Sequence, residues 1–176
     1  MAQERKAAAT LRGNPLTLAG PEIKAGQPAP DFTAVATDMK EVGLADGRGK
    51  VIVLSSVPSL DTPVCDTETR RFNQEAAGLG DGVEVWTISM DLPFAQKRWC
   101  GAAGVDRVRT LSDFRHRTFG EAYGVRIVDG PIAGVNARAV FVVGKDGKVA
   151  HAQYVREIAS EPDYEAVLGA ARAAAR

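Results

Sequence analysis

Two thiols, at positions 65 and 100, carry the reactive potential of this sequence. The first lies in the run Ser55-Ser56-Val57-Pro58-Ser59-Leu60-Asp61-Thr62-Pro63-Val64-Cys65. The apolar stretch Val51-Ile52-Val53-Leu54 at its start reads as a buried strand, and the polar–apolar alternation after Cys65 reads as a helix. Thr62 suits an N-cap, and Pro63 then falls at the first helical position, where its missing N–H costs nothing. Cys65 is thus expected in the first helical turn. Unpaired N–H groups and a partial charge of about +0.5 there favour thiolate over thiol. The residues read as a nucleophile with a lowered pKa. The plainer alternative is a buried cysteine serving as a small hydrophobe.

Cys100 falls at the far end of its own expected helix, where the partial charge is negative and the carbonyls disfavour a thiolate, with Lys97 and Arg98 as an offset. The two thiols are therefore unequal: Cys65 should attack first and Cys100 should act later. They are 35 residues apart, so they form no Cys-x-x-Cys motif. A static disulfide closing that loop is one reading, with stabilisation of roughly 3–4 kcal/mol. The other is sulfenic acid chemistry, in which one thiolate takes an oxygen from a peroxide and a second thiol condenses with the product. A bridge needs Cα atoms within about 7 Å, so if the helices hold the thiols farther apart, one must unwind.

Composition narrows the remaining classes. The chain has 176 residues, 45% hydrophobic and 25% charged, which fits one soluble domain over 1–176. Lysine plus arginine balances aspartate plus glutamate, 22 against 22, so no basic field points to nucleic acid or to an anionic membrane. No run approaches the roughly 18 apolar residues of a membrane span, and the first residues do not read as a secretory signal. The expected location is the cytoplasm, where two cysteines are more often catalytic than stapled. His116 and His151 lie too far from the cysteines in sequence for the close pairs of a zinc site. Gly-x-Gly-x-x-Gly and P-loop patterns are absent, so no nucleotide, metal or other cofactor is expected.

The elements that must position the thiols follow from pattern and punctuation. Residues 1–12 read as a loose arm. Leu16-Thr17-Leu18 and Glu22-Ile23-Lys24 read as a small hairpin around Ala19-Gly20-Pro21, followed by a breaker-rich link over 26–30. Strands are expected over 31–36, 39–44, 51–56, 83–89, 108–112, 137–143 and 148–155, the last two as an antiparallel hairpin across Gly144-Lys145-Asp146-Gly147. Helices are expected over 63–77, 93–100, 114–123 and 162–175. Strands alternating with helices make an α/β layer arrangement.

These residues resemble the thiol peroxidases of the atypical two-cysteine peroxiredoxin family. The resemblance runs from about Gly13 to the terminal helix. It rests on the run from Pro58 to Cys65 followed by Arg70 and Phe72-Asn73, on Asp91-Leu92-Pro93-Phe94-Ala95-Gln96-Lys97-Arg98-Trp99-Cys100, on Thr110-Leu111-Ser112-Asp113-Phe114-Arg115, and on Ala137-Arg138-Ala139-Val140-Phe141-Val142. It implies a thioredoxin-like fold: a central mixed sheet flanked by helices, with an N-terminal β-hairpin. It also implies a homodimer and reduction of hydrogen peroxide and alkyl hydroperoxides with electrons from thioredoxin. By the match of motifs, Cys65 is the peroxidatic cysteine and Cys100 the resolving one, the two forming the disulfide Cys65–Cys100. Thr62 would offer its hydroxyl to the thiolate and peroxide, Arg138 a fixed positive charge, and Pro58 a shield against bulk water.

The residues agree with this physically, because O–O cleavage puts negative charge on the departing oxygen, where Arg138, the Thr62 hydroxyl and the Cys65 N–H could meet it. Arg138 could equally be a structural arginine paired with an acid. Asp66 departs from the family pattern, which suggests a small or uncharged residue after the nucleophile; pointed inward, it would oppose the thiolate. Two rival functions use the same cysteines: a redox sensor that passes oxidation to a partner protein, and a binding module with a structural disulfide.

Overall fold

The computed structural model describes residues 3–176. Among them, seven strands form one mixed sheet in the order β10-β9-β5-β6-β7-β3-β4. Its centre is β5 (Val51–Ser56), β6 (Val83–Ser89) and β7 (Val108–Ser112), which run parallel. Antiparallel strands complete it: β9 (Ala139–Val143) and β10 (Val149–Tyr154) on one side, β3 (Thr33–Ala36) and β4 (Glu41–Gly43) on the other. This is the thioredoxin-like α/β arrangement expected from the sequence.

The sheet's two faces sort the side chains by the two-residue period of a strand. Val51, Val53, Val85, Val140 and Val142 point to one face, packed with Phe72 of α1 (Pro63–Ala76), Trp99 of α2 (Pro93–Ala103) and Val167 and Leu168 of α4 (Tyr164–Ala175). Ile52, Leu54, Trp86, Ile88 and Phe141 point to the other, against Phe119 of the short α3 (Thr118–Ala122) and a second sheet. Because both faces are covered, β5 is buried at every position, which is why it reads as an uninterrupted apolar run.

The second sheet corrects the reading of the N-terminus. Residues 4–11 are not a loose arm but strand β1 (Glu4–Leu11), paired antiparallel with β2 (Asn14–Ala19); residues 1–2 lie outside the described part. The hairpin turns at Arg12 and Gly13, both at positive φ (51° and 80°), as a two-residue connection matching strand twist requires. Residues 22–24 form no strand. The other partner of β2 is β8 (Arg126–Ile127), too short to leave a pattern in the sequence.

Two helices also differ from expectation. The helix expected over 114–123 shrinks to α3, because Arg117 takes a left-handed conformation (φ 59°) and the Asp113 carboxylate accepts from the Phe119 and Gly120 N–H groups. Helix α2 runs through Gly101 and ends only at Gly104, whose φ of 66° is the left-handed cap that glycine supplies.

Candidate active site

The loop from Val57 to Thr62 joins β5 to α1, and carboxylate bonds shape it. Asp91, on the turn between β6 and α2, accepts from Ser59 Oγ (2.7 Å), the Leu60 N–H (2.8 Å) and Ser89 Oγ (2.7 Å). The loop is thereby tied to the neighbouring strand-to-helix turn. Thr62 holds the N-cap position by its backbone: its carbonyl accepts the first helical bond, from Asp66 N at 3.0 Å. Its hydroxyl does not cap. It is exposed and donates to the Ser59 carbonyl at 2.9 Å. Pro58 is buried in the same loop.

Cys65 is the third residue of α1 and is fully buried. Arg138, just ahead of β9, donates through Nη2 to its sulfur at 3.3 Å. The rest of the guanidinium is also committed: Nε donates to the Ile158 carbonyl at 2.9 Å, and Nη1 donates to Glu68 Oε2. Glu68 follows Cys65 by three residues on α1, so both side chains share a face of the helix. Its other oxygen accepts from Ser55 Oγ at 2.8 Å. A continuous chain therefore runs Ser55–Glu68–Arg138–Cys65, all of it buried.

Burial pushes the Glu68 carboxyl up, while Arg138 and Ser55 draw it back. Burial also works against the Arg138 charge, yet the Glu68 carboxylate and the Cys65 sulfur outweigh it and hold Arg138 above the ordinary arginine value. We take Arg138 as the charged member at any working pH, since a guanidinium does not give up its proton in a protein. The plain structural role and the site role of Arg138 coexist: it pairs with an acid and touches the thiol.

Sequence reasoning did not single out Glu68. It lies within a helix like any surface glutamate, and only the fold buries it. A spacing of three from the nucleophile was the one available signal. Glu157 was missed as well. Its carboxylate accepts from Thr10 Oγ1 and from the Arg12, Gly13 and Ala159 N–H groups, which push its pKa down to about 2. That clamps the β1–β2 turn to the segment carrying Ile158, whose carbonyl steadies Arg138.

Cys100 lies in the last turn of α2, half-buried, with its sulfur 3.5 Å from Thr110 Oγ1. Burial raises its pKa, against the pull of the Thr110 hydroxyl. It opens on a cavity of about 580 Å³ that Cys65 does not line. The two thiols are unjoined in this structure. Asp66 turns away from Cys65: its carboxylate accepts from Arg70 Nε at 2.9 Å and from Trp99 Nε1 at 3.0 Å.

A buried thiol in a helix's first turn, under an arginine locked by a buried acid, on a thioredoxin-like sheet, can be compared with known proteins. Residues 24–168 match the Redoxin family. The thiol peroxidase of Bacillus subtilis strain 168 is 54% identical over 164 residues, covering 93% of this chain and 96% of that protein. The chain belongs to the thiol peroxidases of the redoxin family. The thiol peroxidase of Aquifex aeolicus is 50% identical over 158 residues, covering 90% of this chain and 92% of that one. The crystal structure of a peroxiredoxin-like protein from Aquifex aeolicus superposes with a TM-score of 0.89 at 47% identity, covering 96% and 98% of the two chains. Mycobacterium tuberculosis AhpC, at 22% identity and a TM-score of 0.72, shares the fold. As a thiol peroxidase of this family, the chain is an oxidoreductase. Among the described residues, no helix is long and apolar enough to cross a membrane.

Proposed function

We propose that this chain reduces hydrogen peroxide and alkyl hydroperoxides through a Cys65 sulfenic acid, with Cys100 as the resolving thiol and thioredoxin as the reductant. The observation that carries the reading is the 3.3 Å contact between the Arg138 guanidinium and the Cys65 sulfur at the start of α1. The thiolate attacks the terminal peroxide oxygen. The O–O bond breaks, the alkoxide or hydroxide takes a proton and leaves as alcohol or water, and Cys65 is left as sulfenic acid. Arg138 and the N–H groups of the first helical turn face the charge that develops on the departing oxygen. The Thr62 hydroxyl joins them by turning from the Ser59 carbonyl to the peroxide, and buried Pro58 keeps bulk water from the sulfur. A cleft of about 360 Å³ between Pro63, Val64 and Thr67 of α1 and Ala159, Ser160 and Glu161 is the entry for the peroxide.

The Cys100 sulfur then attacks the Cys65 sulfur. The S–O bond breaks, water leaves, and the Cys65–Cys100 disulfide forms. Cys65 is fully buried and is not bonded to Cys100 in this structure, and in this reading the first turn of α1 opens in each cycle. The two thiols of reduced thioredoxin return the pair to its starting state. A thioredoxin-driven cycle fits the cytoplasm, where thiols are kept reduced. Four exposed large hydrophobic residues, Met39, Leu92, Phe94 and Phe114, gather at one groove, and this patch supports pairing of two copies as a homodimer.

Stopped-flow oxidation by one equivalent of peroxide, followed by turnover with thioredoxin, thioredoxin reductase and NADPH, tests the reading. Rapid loss of the Cys65 thiol and sustained NADPH consumption are expected. Oxidation no faster than that of free cysteine sinks it, and fast oxidation without sustained turnover marks a redox sensor instead.

A further inference from the structure

Asp66 and Trp99 are the immediate chain neighbours of the two cysteines, and they are bonded to each other. The Trp99 indole N–H donates to Asp66 Oδ1 at 3.0 Å, and Arg70 Nε donates to Asp66 Oδ2 at 2.9 Å. Arg70 also reaches α2 itself: Nη1 donates to the Ala103 carbonyl at 3.1 Å, and its guanidinium carbon lies 5.7 Å from the centre of the Trp99 ring. The Trp99–Asp66, Arg70–Ala103 and Arg70–Trp99 contacts join the first two turns of α1 to the last two turns of α2, and the Arg70–Asp66 pair ties their anchors together within α1. None of them touches Cys65, Arg138 or Glu68. The first turn of α1 is also held from within, by Thr69 Oγ1 donating to the Cys65 carbonyl at 2.8 Å.

We propose that Asp66, Arg70 and Trp99 form a latch that sets how readily the Cys65 turn opens, and so how the Cys65 sulfenic acid divides between two fates. This rests on the reaction sequence given under Proposed function. While the latch is closed, Cys65 stays buried under Arg138 and unbonded to Cys100, and its sulfenic acid meets only another peroxide. That second encounter transfers one more oxygen, giving sulfinic acid and a second alcohol or water. When the latch opens, α1 and α2 part at the residues adjoining both thiols, and the Cys100 sulfur can displace water from Cys65. Asp66 is thus a positioning residue. Its carboxylate acts on the packing of the two helices through Arg70 and Trp99.

The test compares the full-length protein with Asp66→Asn and Trp99→Phe, which remove the acceptor charge and the indole donor from opposite helices. Stopped-flow mixing with peroxide separates Cys65 oxidation from disulfide formation, and mass spectrometry gives the fraction of sulfinic acid at rising peroxide. Both variants are expected to keep the first rate within about twofold and to form the disulfide roughly three- to tenfold faster, with a matching fall in sulfinic acid. The double variant should gain little over either single one, since both weaken the same Trp99–Asp66 bond. Hydrogen exchange of the amides over 63–70 should quicken in each variant, which gives a second readout if one of them folds poorly. Disulfide formation that is unchanged or slower in both variants, or unchanged exchange over 63–70, overturns the latch. An unaltered protein that forms no Cys65–Cys100 disulfide overturns instead the reaction sequence beneath it.

Discussion

The two cysteines occupy opposite environments on the same face of the sheet. Cys65 sits in a first helical turn, fully buried, with a guanidinium 3.3 Å from its sulfur. Cys100 sits in a last helical turn, half-buried, with a neutral threonine hydroxyl for company, and burial raises its pKa. A fixed cation next to sulfur stabilises the thiolate and the charge that leaves on peroxide oxygen; a desolvated thiol at a helix C-terminus has neither aid. Identical side chains are thus given unlike surroundings, and the proposed division of tasks follows from the dipoles and charges around them. The arginine is held by two acceptors besides the sulfur, the Ile158 carbonyl and the Glu68 carboxylate, so its position does not depend on the thiol alone.

The sharpest break of that comparison exchanges each sulfur for oxygen. Cys65→Ser should abolish peroxide consumption. Cys100→Ser should keep the first oxidation, seen as a sulfenic acid trapped by a dimedone-type reagent, and lose thioredoxin-linked turnover. Normal turnover in Cys100→Ser would contradict its role.

Removing the cation should have the next largest effect. Arg138→Ala should slow Cys65 oxidation by roughly 100-fold or more, the cost typical of losing one preorganised donor. Arg138→Lys should recover only part of this, because an ammonium cannot serve the sulfur, Glu68 and the Ile158 carbonyl in one plane. Equal rates for the native protein and the lysine variant would reduce Arg138 to a point charge.

Glu68→Ala takes away the acid that balances the guanidinium. Breaking a buried pair from one side typically costs about 3–5 kcal/mol, so denaturant unfolding should show a loss of that order. First-step oxidation should slow by less than in Arg138→Ala, since the charge remains but its aim is lost.

A further effect concerns pH. Burial keeps Cys100 protonated beyond the ordinary thiol range, so only a minor fraction is thiolate near neutrality. Disulfide formation should therefore accelerate as pH rises from 7 towards 9, as measured by quenched-flow trapping. A flat profile would mean that opening of the helix, and not ionisation of Cys100, limits the step.

Much of this was legible in the residues. The apolar run 51–54, the strand 83–89 and the pair of strands around Gly144 and Gly147 matched the sheet because each is buried on both faces or turned by glycine. Cys65 was legible too, since a proline at the first helical position and a preceding threonine place the helix start without reference to the rest of the chain. The N-terminal strand was not, because residues 4–11 pair as a sheet whose second partner, β8, is two residues long and more than a hundred positions away. The helix over 114–123 failed for a local reason that needs a tertiary view: Asp113 binds two amides of the following turn, and Arg117 bends the chain into a left-handed conformation.

What the sequence determined alone was the ordering of elements and the placement of one thiol at a helix start and the other near a helix end. These follow from short-range rules of periodicity, capping and breaking. Only the tertiary structure decided that Glu68 is buried, that Arg138 faces both it and Cys65 across 70 or more positions, and that Asp66 looks to Trp99 instead of inward. Charge pairing depends on distance in space, and a linear pattern carries no record of which polar side chains the closing sheet will bring together.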